Sequence, residues 1–135
     1  MTPKEVRNEI VKRFLAQFTG QFAIAVTGHR FVPPQIPAPW VRISVIFNEG
    51  GQTSLGVKGN RRFQKSGFVN VQVFTPVNKG TDQNDDMAQN ILAFLDGESM
   101  GHGLWLYDGS IKTIGDKDDY YQQNVVIEFN FEDIR

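Results

Sequence analysis

Three kinds of pattern in this sequence could do chemistry, and each implies a different reaction. Gly97-Glu98-Ser99-Met100-Gly101 spells G-x-S-x-G, with His102 beside it, the pattern that presents a serine nucleophile on a strand-to-helix elbow. Here the preceding residues carry a helical pattern, no histidine follows position 102, and 135 residues are too few for that hydrolase sheet. The match is a coincidence. A metal site would have to start from His29 and His102, the only histidines, which show no H-x-x-x-H or comparable ligand spacing. Asp82-Gln83-Asn84-Asp85-Asp86 and Asp116-Lys117-Asp118-Asp119 are rich in calcium-type oxygens. Both lack the glycine at position six and the closing glutamate of an EF-hand loop, so they read as an acidic helix start and a solvated turn. Phosphate chemistry fares no better: Gly56-Val57-Lys58-Gly59 has neither the spacing nor the following helix of a phosphate loop.

One basic cluster remains. Lys58, Arg61, Arg62 and Lys65 place four of the 14 basic residues within eight positions, with Phe63 as the only aromatic among them. A stacking platform for bases needs more aromatics than that. The cluster reads as a polar hairpin tip between glycines (Gly56, Gly59, Gly67), either solvated or touching a partner. Nowhere do a nucleophile, a base and an orienting group come together. The residues themselves therefore describe a binding or structural module with no catalytic, cofactor or metal site.

Composition narrows the class. The chain has 135 residues and 15.3 kDa, with 40% apolar and 21% charged residues, the profile of one folded domain over 1–135 rather than a disordered chain. Eleven Phe against two Trp and three Tyr supply many core anchors that need no hydrogen-bond partner. Zero cysteines exclude disulfide scaffolds, cysteine-based zinc or iron–sulfur sites and thiol catalysis. Fourteen basic and 15 acidic residues leave a net charge of −1, no field for general nucleic-acid or membrane attraction. No apolar stretch approaches the roughly 20 residues of a membrane span. Met1-Thr2-Pro3-Lys4-Glu5 alternates charge, which reads against a signal peptide.

Two helices and several strands must carry these residues. Thr2-Pro3-Lys4-Glu5 forms a capping box with proline at the first helical position. Val6, Ile10 and Phe14, with Val11, Leu15 and Phe18, follow at helical spacing, so a helix is predicted over 3–18, ended by Gly20. Phe22–Val26 suits a buried strand. Val32-Pro33-Pro34-Gln35-Ile36-Pro37-Ala38-Pro39 holds four of six prolines and reads as a stiff crossing loop rather than an SH3 ligand. Trp40–Phe47 alternates with Val41, Ile43, Val45 and Phe47 inward, Asn48-Glu49-Gly50-Gly51 turns the chain, and a return strand starts at 53–56. Phe68–Phe74 is a further strand. A second helix starts after Gly80, capped by Thr81 or Asp82, and buries Met87, Ala88, Ile91, Leu92 and Leu95 before Gly97. Leu104–Tyr107 and Ile111–Ile114, split by a turn at Asp108-Gly109, precede a last strand with Val125, Ile127, Phe129 and Phe131 on one side. The fold class is α+β: an antiparallel β-sheet with two α-helices packed on one face. One core is expected from Val6, Ile10, Phe14, Ile43, Val45, Val71, Val73, Ile91, Leu92, Leu95, Ile127 and Phe129.

Read end to end, the chain resembles the small tail terminator (tail completion) proteins of long-tailed phages, the lambda-type terminators and related minor tail, head-tail joining families. The resemblance is carried by an ordered series. The N-terminal amphipathic helix is followed by Phe31-Val32-Pro33-Pro34 leading to Pro39-Trp40-Val41-Arg42, and by Ser54-Leu55-Gly56. Next come Arg62 and Gly67-Phe68-Val69-Asn70-Val71-Gln72-Val73-Phe74-Thr75-Pro76. Last are Gly80, the Asp-rich helix start with Met87-Ala88, and Val126-Ile127-Glu128-Phe129. Together they span roughly 3–131.

The resemblance implies a structural virion protein of a phage or prophage, not an enzyme and without a cofactor. It implies a hexameric ring of the chain with itself, seated on the tail tube protein, halting tube polymerisation and joining the tube to the head-tail connector protein. DNA would only pass through the lumen, and no membrane is involved. Assembly is expected in the host cytoplasm, with the protein ending in the neck of the virion. Near-neutral charge suits a lumen in which DNA must slide. The separate patches Lys58, Arg61, Arg62, Lys65 and Asp82, Asp85, Asp86 are the candidate assembly contacts of a head-to-tail ring. The alternative within the class is another neck or head-completion protein or a tail tube subunit; a small nucleic-acid-binding or enzymatic phage protein ranks lower.

Overall fold

The first helix, α1 (Pro3–Phe18), begins as its capping box dictates. The Glu5 N–H donates to Thr2 Oγ1 (3.2 Å), and the Glu5 carboxylate accepts from the Thr2 N–H (3.3 Å). Val6, Ile10, Phe14 and Phe18, one turn apart, form its buried stripe. On the other side of the helix Arg13 Nε donates to Glu9 at 2.7 Å across one helical turn, with 41% of the Arg13 side chain exposed. The structure, a computed structural model, describes residues 1–135 except 49, 50, 53–55, 60, 78, 79, 102 and 135.

The strands are β1 (Ala23–Val26), β2 (Trp40–Phe47), β3 (Gly51–Gln52), β4 (Arg62–Pro76), β5 (Trp105–Lys117) and β6 (Tyr120–Ile134). They form one sheet in the order β1-β2-β4-β6-β5, with β3 pairing β4 beyond the end of β2. The sheet is mixed, which corrects the all-antiparallel expectation: β1 pairs parallel to β2, with Ala23 opposite Trp40 and Val26 opposite Ile43. The cause is the proline segment. Thirteen residues between Val26 and Trp40 are long enough to cross over rather than turn back.

Register puts the apolar strand positions on one face. Val41, Ile43 and Val45 oppose Val73, Val71 and Val69, and Val71, Val69 and Gly67 oppose Val125, Ile127 and Phe129. Both helices cover that face, and the buried residues of α1, α2 (Asp82–Leu95), β2, β4, β5 and β6 form one core cluster. Eleven of the twelve expected core residues are buried. Leu92 lies at the rim, half-buried, because it leans over the backbone of β5 at Gly109 rather than toward the centre.

Two further expectations change. The turn expected at Asp108-Gly109 is a bulge inside a continuous β5, with a register shift between Tyr107 and Ser110. Asp108 takes a positive φ of 51°. A Cβ at position 109 would lie 2.4 Å from Leu92 Cδ1, and the Gly109 N–H donates to Asp96 Oδ1 (3.0 Å) at the end of α2. The bulge is thus where the helix docks on the strand. The return strand expected at 53–56 lies largely outside the described residues. Gly51, expected at the end of the turn, already pairs, opposite Gln64, and Gln52 pairs opposite Phe63.

Candidate assembly surfaces

The four basic residues do not share a loop. Lys58 is in the turn before β4 and exposed, and Arg61 immediately precedes the strand. Arg62 and Lys65 are residues of β4 itself, paired with Ile134 and Phe131 of β6. Three apart in a strand, they point to opposite faces. Loop chemistry misled here: lysines, arginines and Gly67 suggest a flexible tip, but β6 runs beside β4 over its full 15 residues and satisfies its backbone. Arg61 holds its guanidinium over the Phe63 ring (5.8 Å), and Arg62 Nε lies 3.9 Å from Glu132 Oε1 with 61% of its side chain exposed.

Of the acidic group, Asp82 and Asp85 lie in the first turn of α2, where their charge complements the helix dipole, and Asp86 follows them. Thr81 stands at the N-cap but makes no side-chain cap bond. The start of the helix is held instead through Asn84, fully buried, whose Nδ2 donates outward to Val73 O (3.1 Å), Thr75 Oγ1 (3.0 Å) and Tyr121 O (3.0 Å). This amide pins α2 to the ends of β4 and β6. Sequence reading passed over it, since an asparagine in an acidic helix start looks solvated; its signal was the four-residue spacing to Ala88, in line with Ile91 and Leu95. Asp85 is also engaged, half-buried and accepting from Gln123 Nε2. Asp82 and Asp86 are the exposed members.

The two charged groups stand at opposite ends of the β4–β6 ribbon. Arg62 opens β4, whereas Asn84 fastens the acidic turn at Val73–Thr75, about 40 Å away at 3.3 Å per residue. They cannot neutralise one another within a chain. Asn84→Ala is expected to lower stability by about 1–3 kcal/mol, the range for leaving buried acceptors without a donor. A denaturant titration that matched the wild-type midpoint would contradict the anchoring role.

The sheet face away from the helices is open. Arg42, Gln72, Asn124 and Lys112 lie in one row across it, with Ser44, Asn70, Val126 and Ser110 in the next. At one end Trp40 is buried between rings, with Phe74 stacked at 4.1 Å and Phe31 at 5.1 Å. The Arg42 guanidinium lies 5.4 Å from the Trp40 ring. Phe31 thereby anchors the root of the proline segment to the sheet.

Among the described residues there is no group of three His, Asp or Glu able to hold a metal ion. His29 is exposed, and the expectation placed on His102 lies outside the described residues. Ser99 follows α2 and forms an isolated bridge to Trp105, not a strand-to-helix elbow. No described helix is long and apolar enough to cross a membrane.

An α+β domain with helices on one face of a mixed sheet, an open opposite face and charged groups at the two ends of a long ribbon defines the class by shape. The sequence then assigns the family. The model of the phage tail terminator proteins matches residues 5–128, nearly the whole chain, and the chain belongs to that family. No protein of curated function matches it. Seventeen solved chains do. One of them shares 19% identity at a TM-score of 0.71, covering 96% of this chain and 95% of its own; at that identity the likeness is one of fold. The protein is a structural component of phage tail completion and works among the parts of the phage tail.

Proposed function

We propose that residues 1–135 act as one tail-terminator domain that closes a ring of six subunits on the last ring of the tail tube. The ring stops tube polymerisation, offers its other face to the head-tail connector, and lets DNA pass through its lumen. The role is architectural rather than catalytic. Assembly occurs in the host cytoplasm and the protein remains in the virion neck. The observation that carries this reading is the family match over 5–128. Two features support it. Opposite charges at the two ends of one ribbon suit a heterologous contact, in which one surface meets a different surface on the next subunit. The open face sets uncharged amides (Asn70, Gln72, Asn124) between two basic residues, Arg42 and Lys112, and so can face phosphate without the dense neutralisation that would hold DNA in place.

Charge reversal tests the contact. Arg61→Glu with Arg62→Glu is expected to leave the melting temperature within a few degrees, because exposed pairs contribute about 0–1 kcal/mol. Ring formation or tube capping should weaken, and wild-type assembly should weaken as salt rises. The compensating changes are Asp82→Arg and Asp86→Arg, since Asp85 is held by Gln123. Restored assembly supports the head-to-tail pairing. Assembly indifferent to reversal and to salt would return both groups to solvated surface.

A further inference from the structure

The segment between β1 and β2 presents an arm whose chemistry is unusual for a connector. Residues 31–39 carry no charge and four prolines. Val32 is 70% exposed and Ile36 84% exposed, a large apolar surface to leave in water. Proline fixes the backbone in extended form and removes four of nine N–H donors, leaving a stiff segment with an excess of carbonyl acceptors. Its root is fixed by the Phe31–Trp40–Phe74 stack on the open face, so ordering the arm on binding costs little conformational entropy.

The same chain carries a groove of complementary chemistry. On the helix face, α1 leaves β1 partly uncovered, and a groove of about 480 Å³ runs between them. Its apolar wall is Val11, Leu15 and Val26, all half-buried, and its rim is Arg7, Asn8 and Lys12. The wall is apolar, and the rim offers hydrogen-bond donors where the arm offers acceptors. A carboxylate is absent from both the arm and the groove lining. The arm root and the groove lie on opposite faces of the sheet, so an arm anchored by Phe31 is directed away from its own groove.

We infer that the arm of one chain seats Val32 and Ile36 in the α1–β1 groove of a second copy of this chain. The contact is heterologous and repeats around a closed assembly, and it names the apolar part of the subunit interface in the ring proposed above, on which it rests. The groove wall is aliphatic rather than aromatic, so the contact rests on burial of Val32 and Ile36 by an arm whose extended backbone is already formed before binding.

The natural absence of cysteine makes the test direct. Ile36→Cys and Lys12→Cys both lie at exposed positions. The double variant, assembled on tail tubes and mildly oxidised, is expected to give a ladder of covalent oligomers on a non-reducing gel, whereas each single variant stays monomeric. Ile36→Asp should raise the concentration needed for assembly about tenfold or more with the melting temperature unchanged. Rings that form normally without cross-links, and that tolerate Ile36→Asp, overturn the arm contact and leave the ring standing. Ile36→Cys linked to itself, or to the tube protein once a cysteine is placed there, shows a different occupant and overturns it as well. A wild-type protein that forms no ring on tubes removes both readings together.

Discussion

Phe14→Ala is expected to lower the unfolding free energy by about 3–5 kcal/mol, the range for emptying a buried aromatic site. Phe14 is fully buried, third in the stripe Val6-Ile10-Phe14-Phe18, and its ring packs 4.9 Å from that of Phe18. Phe18 in turn meets Phe22 and, edge-on, Phe94 of α2. Removing Phe14 therefore opens a cavity where α1, α2 and the sheet meet, and a helix held at one end by its cap cannot collapse into it. At about 3–5 °C per kcal/mol for a chain of this size, the melting temperature should fall by roughly 10–20 °C. A thermal melt unchanged within about 2 °C would show that α1 does not rest on this ring.

Gly67→Val should cost about 3 kcal/mol by overpacking rather than by loss. Position 67 lies in β4 opposite Phe129, and a Cβ there would stand 2.1 Å from the Ile46 carbonyl oxygen and 2.7 Å from the Phe129 ring. The first neighbour is backbone and cannot turn aside, so β2 and β4 would have to separate. Phe129 also packs edge-on against Phe47, so a displaced ring disturbs the second strand too. Lys58→Ala, in the exposed turn before β4, serves as the control and should leave denaturant midpoints nearly unchanged. Equal stability of Gly67→Val and wild type would contradict the close approach.

These two sites also show where the sequence was legible. Phe14 could be read because helical spacing alone decides which face is buried, and the capping box fixed where the helix starts. The alternating strands around Ile43, Val71 and Ile127 were legible for the same reason, as a period of two needs no tertiary information. Gly67 was not, because a glycine that yields space to a neighbouring strand looks the same in sequence as one that ends a strand. Arg62 and Lys65 followed it into an expected loop, although β6 keeps them in the ladder. Asn84 and Asp85 were misread as plain acidic surface because their partners, Tyr121 and Gln123, lie 37 and 38 residues away. The parallel β1–β2 pair was hidden similarly. Proline content identified a stiff crossing segment, yet the direction of the crossing depends on where β1 finds an unpaired edge. The open face, with Trp40 between Phe31 and Phe74, emerged only from register.

Capping of the tail tube can be seen by electron microscopy of tubes polymerised with and without the protein. With the protein present, tubes should stop growing and carry one extra ring at one end, six-fold in end view with an open lumen. Tubes that keep growing with bare ends, at protein concentrations well above that of the tube ends, would contradict it.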